Sequence, residues 1–264
     1  MPDSRPQTRF IFVTVGVVSV DPSSPFSHGA LLGDRIRLSD HFLDPDVFIR
    51  SMGTRGHLGG LAEATLQALL VLDAAGKDVV FLETVGAGQS EVEVIGIADT
   101  VLLVLMPGSG DAVQALKAGI MEIPDVIAIN KMDLPAAKTM LNEVRSILAL
   151  DRDREWNPPI VLTEAVRGEH VPELWEKLQE HRGFLEQSGR LEERRRANLA
   201  REVFAVASSR ASRHLERAVA DDGELRRLLA EVQARELDPL TAVREILEKV
   251  FRIHDGDTDR TGPS

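Results

Sequence analysis

The chain has 264 residues, of which 43% are hydrophobic and 28% charged, with a formal net charge of -11 and no cysteine. This composition is typical of a globular protein that can bury a full core. The negative charge disfavours nucleic-acid binding, which needs clustered Lys and Arg, and the lack of cysteine excludes disulfides and thiolate metal sites. No apolar run reaches the roughly 18 residues of a membrane span. The apolar start lacks a signal-peptide cleavage site, so we expect a cytoplasmic protein.

Apolar runs rich in Val, Ile and Leu alternate with segments of helical composition along the first 185 residues. The runs predict strands at 10–20, 78–83, 100–106, 125–130 and 160–163, with a further short strand at 46–50. The other segments predict helices at 61–75, 89–98, 111–123, 135–150 and 171–187, the first of them stopped by Gly76. Strands alternating with such helices indicate βαβ units. We therefore predict an α/β fold with a mostly parallel sheet.

From about residue 186 the strand pattern ends and the density of charged residues rises. Asp238 followed by Pro239 is typical of a helix start. Apolar residues there repeat at the spacing i, i+3, i+4, i+7, so these helices need a partner surface on the sheet domain or on another subunit. The two stripes are Leu225, Leu228, Leu229 and Val232, and Val243, Ile246, Leu247 and Val250. We predict an α/β domain over 1–185, a helical region over 186–255 and a disordered tail over 256–264.

Carboxylates follow two of the apolar runs, at Asp21 and at Glu83, which opens the sequence ETVGAGQSE. Because the carboxyl ends of parallel strands meet at one edge of a sheet, both side chains can face the same crevice. Proteins hold Mg²⁺ through one or two carboxylates, bound waters and substrate phosphates. Asp21, Glu83 and the loop residue Asp34 therefore predict a magnesium site. Helix capping or a solvated turn is the alternative role for each of them.

The sequence NKMD follows another apolar run and predicts guanine recognition. Asp133 can accept hydrogen bonds from both N1–H and the exocyclic amine of guanine, a pair of donors that adenine lacks. Asn130 would tie neighbouring loops together and contact the base, and the Lys131 stem would cover the ring. Thr163 and Ala165, one strand later, belong to the expected second base-contacting loop. An ordinary turn at the end of a strand is the alternative.

Five stretches in this order resemble one family, the methylmalonyl-CoA mutase-associated GTPases of the MeaB/ArgK type. The stretches are VDPSSPFSHGALLGDRIR, FIRSMGTRGHLGGLAEAT, ETVGAGQSEVE, MPGSGDAVQALKAGIMEI and NKMD. The resemblance implies a P-loop-type G domain that binds GTP or GDP with Mg²⁺ and hydrolyses GTP. It also implies a chaperone that protects and reloads an adenosylcobalamin-dependent acyl-CoA mutase. The helical region is similar to the part through which that family forms homodimers.

Carried onto this chain, the resemblance gives roles to the same residues. It implies that Glu83 and Asp34 couple to hydrolysis and that both bind Mg²⁺ with Asp21. The guanine-binding residues would be those of NKMD and of the loop after the next strand. A glycine-containing loop ahead of a helix would communicate with the mutase. The residues of that loop are Gly108, Gly110, Asp111 and Lys117.

This sequence departs from the family pattern in one respect. The family has a strand, a GxxxxGK(S/T) phosphate loop and a helix ahead of the strand that carries VDPSS, and no GxxxxGK(S/T) occurs in this sequence. We interpret residues 1–185 as a G domain whose first βα unit is absent from the recorded sequence, through a misplaced start or a truncation. The absent strand would lie centrally and leave an apolar edge. The alternatives are a non-enzymatic, dimerising module that binds the mutase, and an unrelated α/β nucleotide enzyme.

Overall fold

The structure of the chain is a computed structural model that describes residues 13–21, 38–53, 58–84, 97–108, 123–150 and 154–252. The helices predicted at 89–98 and 111–123 fall largely outside these residues, as does the predicted tail. The described strands are β1 (Val15–Asp21), β2 (Val47–Gly53), β3 (Val79–Thr84), β4 (Leu102–Leu105), β5 (Val126–Asn130) and β6 (Ile160–Thr163). The described helices are α1 (Leu58–Ala74), α2 (Ala136–Leu148), α3 (Val171–Gln187), α4 (Arg190–Asp221), α5 (Gly223–Gln233) and α6 (Pro239–Phe251).

The chain forms two compact units, Met1–Val203 and Phe204–Ser264, and the division falls inside α4. The first unit holds all the described strands, and the second holds the end of α4 together with α5 and α6. The predicted α/β class is confirmed, with the helical region following it in the chain. In the part of the chain that the structure describes, no helix is both long enough and apolar enough to span a membrane.

Every pair of neighbouring strands is parallel, as predicted, and the described strands form two sheets of three strands each. Their orders are β2-β1-β3 and β4-β5-β6. Among the described residues, β3 and β4 each have a hydrogen-bonded neighbour on one side only. Each sheet has its own covering helix, so each buries its own apolar face. The parallel order nevertheless brings the carboxyl ends of its three strands to one edge of each sheet.

The core of each sheet forms against one helix. In the first sheet Val18 and Val20 pack with Leu72 of α1. In the second sheet β4 and β5 pack against α2, and α3 contacts β5 and β6. The central strand β5 is buried along four of its five residues, which explains why it is apolar without alternation. The buried residues packed with α2 in the second core are Leu105, Ile127, Ile129, Ala137, Met140 and Val144.

Gly76 ends α1 as predicted. Its φ of +74° is the left-handed conformation that glycine adopts without strain. The Gly76 N–H donates to the Asp73 carbonyl at 2.9 Å, and the Lys77 N–H donates to the Leu72 carbonyl at 3.1 Å. These two bonds form a Schellman motif, which satisfies the last carbonyls of the helix. The chain then enters β3 beside β1.

Asp125, just before β5, is the centre of a polar network at the amino ends of β4 and β5. Its carboxylate accepts two hydrogen bonds from Arg194 of α4, at 3.1 and 2.9 Å, and one from the Val101 N–H at 2.8 Å. His181 of α3 is 1% exposed, with Nε2 at 3.3 Å from the carboxylate and Nδ1 at 2.9 Å from the Thr100 hydroxyl. Burial lowers the pKa of His181, against the opposing pull of Asp125. The imidazole is therefore neutral near pH 7.

A second arginine anchors the start of α4 beside the first. Arg195 makes a bidentate contact with Asp99, at 3.0 and 2.7 Å, but both side chains are about half exposed. Hydrogen bonding to Asp99 raises the pKa of Arg195. Solvent screens such exposed pairs, whereas the Asp125 network is largely withdrawn from water. The Asp125 network is therefore the stronger anchor of α4 on this sheet.

We predict that Asp125→Asn lowers the free energy of unfolding of the first unit by about 2 kcal/mol or more, because it leaves buried donors without their charged acceptor. Asp99→Asn, the matched change in the exposed pair, should cost about 1 kcal/mol or less. Urea denaturation followed by tryptophan fluorescence measures both, since Trp156 donates to the Asp125 carbonyl at 2.7 Å. Equal losses in the two variants would contradict this ranking.

In the second unit, α5 and α6 are each capped at the amino end, and an ion pair joins the amino end of α5 to the carboxyl end of α6. Asp222 accepts from the Glu224 and Leu225 N–H groups, and Asp238 accepts from the Thr241 N–H, as the Asp-Pro signal predicted. Lys249 of α6 contacts Asp222 at 2.8 Å and, with the cap bonds, lowers the pKa of that carboxyl. The two helices are in contact, and the buried apolar residues on them are Leu225, Ala242 and Ile246.

The two predicted apolar stripes of this unit are only partly buried. Two leucines one turn apart on α5 allow a test of this packing. Leu225 is 1% exposed and Leu229 is 41% exposed. Leu225→Ala should destabilise the second unit by about 2–5 kcal/mol because it opens a cavity. Leu229→Ala, the same change on the same helix, should cost less than about 1 kcal/mol. Thermal unfolding monitored by circular dichroism distinguishes them, and a larger loss at Leu229 would refute the described packing.

Candidate functional site

Polar residues stand where β5 and β6 end, at the carboxyl edge of the second sheet. Asn130 is the last residue of β5 and Thr163 the last of β6, and the two are partners in the parallel register. This edge is where open α/β sheets bind ligands, because loops from neighbouring strands diverge there and leave a crevice. The pairing thus brings two of the predicted guanine-binding residues together.

The Asn130 side chain joins the loops that follow the two strands. Its Oδ1 accepts a hydrogen bond from the Ala165 N–H at 3.0 Å and from the Thr163 hydroxyl at 3.3 Å. A backbone bond of 3.0 Å from the Met132 N–H to the Thr163 carbonyl runs alongside. The carboxamide oxygen is therefore engaged within the protein. Asn130, Thr163 and Ala165 form one hydrogen-bonded unit.

Lys131 and Asp133 follow in the same loop, and both side chains are exposed. Lys131 has a φ of +58°, a left-handed conformation that is unusual for a residue with a side chain. Such outliers persist where the surrounding structure fixes them, as the Asn130 bonds do here. Within the described residues the Asp133 carboxylate has no hydrogen-bond partner, so it is available to a ligand.

The loop after β6 is held in a compact conformation. Glu164 and Glu169 form an antiparallel bridge, and Gly168 between them has a φ of +71°. The Arg167 guanidinium lies 3.1 Å from the Glu164 carboxylate. The backbone amide of Ala165 is thereby held at a fixed place beside Asn130. A preformed loop of this kind loses little conformational freedom on binding a ligand.

The first sheet has a corresponding polar group near its carboxyl edge. Asp21 is the last residue of β1, and Glu83 is the last but one of the neighbouring β3. The Ser19 hydroxyl donates to Glu83 Oε2 at 2.9 Å. Sequence reasoning missed Ser19, whose only local signal is a small polar residue inside an apolar strand, two positions before Asp21. The structure places Asp21 and Glu83 on adjacent strand ends.

Several predicted residues fall outside this description. Asp34, Gly110, Asp111 and Lys117 lie outside the described residues, and so does the side chain of Asp21. Gly108 is described, with a φ of +83°, three residues after the end of β4 at the same edge as Asn130. The magnesium site formed by three carboxylates and the partner-binding loop therefore stay predictions.

Comparison with known proteins shows which family the chain resembles. The family model described as methylmalonyl Co-A mutase-associated GTPase MeaB matches residues 12–220. A protein of Pyrococcus abyssi is 48% identical over 241 residues, covering 90% of this chain and 74% of that protein. The GTPase ArgK of Escherichia coli is 34% identical over 240 residues, covering 89% of this chain and 72% of that protein.

A solved structure agrees with the sequence matches. The crystal structure of the LAO/AO transport system kinase superposes with a TM-score of 0.64 at 27% identity, covering 90% of this chain and 72% of that one. The family model spans most of the chain, and the relatives match it over nine-tenths of its length. This chain belongs to the MeaB family of methylmalonyl-CoA mutase-associated GTPases.

Proposed function

We propose that the chain binds guanine nucleotide with Mg²⁺, hydrolyses GTP, and acts in this way as a chaperone of an adenosylcobalamin-dependent acyl-CoA mutase. One observation carries the nucleotide assignment. The Asn130 carboxamide oxygen holds the loops after β5 and β6 together, while the neighbouring Asp133 carboxylate is exposed and unpaired among the described residues. Family membership supports the same conclusion.

The chemistry of this loop suits guanine better than adenine. A free carboxylate offers two acceptor oxygens, which match the N1–H and the exocyclic amine of guanine. Adenine presents no such pair of donors, so Asp133 would be left desolvated and unpaired beside it. The Ala165 N–H lies beside Asn130, and the Lys131 stem would cover the face of the ring. We assign Asn130, Lys131, Asp133, Thr163 and Ala165 to the guanine site.

The carboxyl edge of the first sheet offers the oxygen ligands that Mg²⁺ prefers. Asp21 and Glu83 lie at or next to the ends of adjacent strands, and the exposed Glu83 carboxylate uses one oxygen to accept from Ser19. We propose that these residues, with Asp34, hold Mg²⁺ and couple it to hydrolysis. When bound, the ion would neutralise charge on the phosphate oxygens. Glu83 would orient the attacking water.

Association with a mutase is supported by the family description, which names methylmalonyl-CoA mutase. Gly108 lies three residues after the end of β4, so the segment that leaves this strand starts at the same edge as the guanine loops. A loop in this place can respond to the bound nucleotide and contact a second protein. We propose that Gly108, Gly110, Asp111 and Lys117 belong to the mutase-contacting loop.

The second unit exposes apolar side chains that suit a homodimer. Leu240 is 81% exposed, Phe204 is 74% exposed and Val243 is 50% exposed. Leu240 and Val243 are three residues apart on α6 and share one face. Apolar residues grouped on one helical face are typical of subunit contacts. We propose that two copies associate through these C-terminal helices.

A second function is favoured by the sequence itself, which contains no GxxxxGK(S/T). Such loops supply backbone amides and a lysine to the phosphates, and their electrostatic contribution to phosphoryl transfer is large. The alternative is a module that binds the mutase and dimerises without turning over GTP. Phosphate release and sedimentation with the mutase, measured on the same sample, separate the two. Complex formation without phosphate release would favour the module.

We predict that Asp133→Ala lowers the preference for GTP over ATP by about ten- to a hundredfold, since a hydrogen bond to a charged group contributes about 1.5–3 kcal/mol. Asp133→Asn should instead favour XTP, because the amide donates to the oxygen that replaces the guanine amine. Isothermal titration calorimetry with each nucleotide and Mg²⁺ measures these preferences. The gain of XTP binding serves as the folding control. An unchanged GTP preference in Asp133→Ala would refute the guanine assignment.

We predict that Val243→Arg converts the dimer to a monomer, because it places a charge in the apolar contact. Glu245→Arg introduces the same side chain at an exposed position two residues away, on another face of α6, and should leave the dimer intact. Light scattering after size-exclusion chromatography gives the mass of each variant. A monomeric unmodified chain, or a dimeric Val243→Arg, would contradict the proposed contact.

A further inference from the structure

Three polar residues form a row across the first sheet, close to its carboxyl edge. Ser19 of β1 pairs in register with Ser51 of β2 on one side and with Glu83 of β3 on the other. Their neighbours Val20, Met52 and Leu82 belong to the core beneath α1. Because side chains alternate along a strand, the polar row projects from the opposite face of the sheet.

The Ser19 side chain is buried, although it lies on the face of the sheet opposite the core beneath α1. Ser19 is 1% exposed, in a strand whose neighbours Val18 and Val20 are also buried. A buried hydroxyl is costly without a partner, and this one donates to Glu83 Oε2 at 2.9 Å. The donor is therefore fixed by the strand, while the acceptor belongs to an exposed side chain. The bond orients Glu83 more than it stabilises the sheet.

Because Glu83 is exposed, this hydrogen bond contributes little to the free energy of folding. If the Ser19 hydroxyl were removed, water could donate to the Glu83 carboxylate in its place, so the fold would lose little. The loss would be one of orientation, because an exposed glutamate without this donor samples several rotamers. A group that must hold a water or a metal-bound oxygen in line with a phosphate is sensitive to such freedom.

We propose that Ser19 is a positioning residue, which holds Glu83 Oε2 and leaves Oε1 directed to the nucleotide and its metal. The inference rests on the proposed function for its catalytic meaning, but the orientation itself can be measured without nucleotide. Ser51 supplies a matched control. It belongs to the same row, and its buried hydroxyl has no hydrogen-bond partner among the residues that the structure describes, so its removal leaves the Glu83 contact intact.

The kinetic test compares Ser19→Ala with Ser51→Ala in the full chain. Ser19→Ala should lower kcat for GTP hydrolysis by about ten- to a hundredfold with KM changed less than about twofold, since the base site is on the other sheet. Ser51→Ala should leave kcat unchanged. In a Glu83→Ala background, Ser19→Ala should have no further effect, because its partner is already gone. Additive losses would overturn the inference.

A readout independent of turnover separates this inference from the proposed function. In the nucleotide-free chain, the two γ-methylene protons of Glu83 should have distinct NMR shifts, which Ser19→Ala collapses and Ser51→Ala keeps. Ser19→Cys, which retains the size but is a weak donor, should behave as Ser19→Ala while preserving the packing. Unaltered Glu83 signals in both Ser19 variants would overturn the inference. Absent hydrolysis by the unmodified chain, with the NMR changes intact, would count against the proposed function alone.

Discussion

The hydrogen bonds accepted by the Asn130 carboxamide oxygen determine what the second sheet can do. They fix the Ala165 amide and Thr163 beside the NKMD loop, and this arrangement depends on the parallel pairing of β5 with β6. The burial of β5 between α2 and α3 keeps that pairing rigid. At the opposite end of the strands, Asp125 anchors α4 through Arg194. One strand therefore supports both the ligand edge and the helix that leads to the second unit.

The two sheets carry different parts of the proposed chemistry. The second sheet presents the base-recognition groups, whereas the first presents carboxylates, with Glu83 oriented by Ser19. In the second sheet, Asn130 at the end of a strand holds the loop amide of Ala165. In the first sheet, Ser19 within a strand holds the side chain of Glu83 near the edge. This division explains why base preference and turnover should respond to different substitutions. The groups at both edges fit membership of a GTPase family, although the edges belong to separate sheets.

Local sequence patterns predicted most of the helices and strands, whereas contacts between residues far apart in the chain were not predicted. The strand 160–163 and the helix 171–187 coincide with β6 and α3, and the prolines at 158–159 mark the start of the strand. The apolar stripes predicted the C-terminal helices correctly. They did not predict that Leu225 is buried while Val243 is half exposed, because periodicity identifies the apolar face of a helix and not what covers it. The contacts Ser19–Glu83 and Asp125–Arg194 join residues 64 and 69 positions apart, which no spacing rule detects. The order of the described strands within the two parallel sheets could not be predicted either, because strand pairing is likewise non-local.

Nuclear magnetic resonance of backbone amides, recorded on the full chain as GDP or ADP is added with Mg²⁺, tests guanine recognition most directly. We expect GDP to shift the amide signals of Asp133 and Ala165, which flank the Asn130 hydrogen bonds, and ADP at the same concentration to leave them in place. Equal shifts with both nucleotides, or GDP-induced shifts confined to residues remote from β5 and β6, would contradict this expectation.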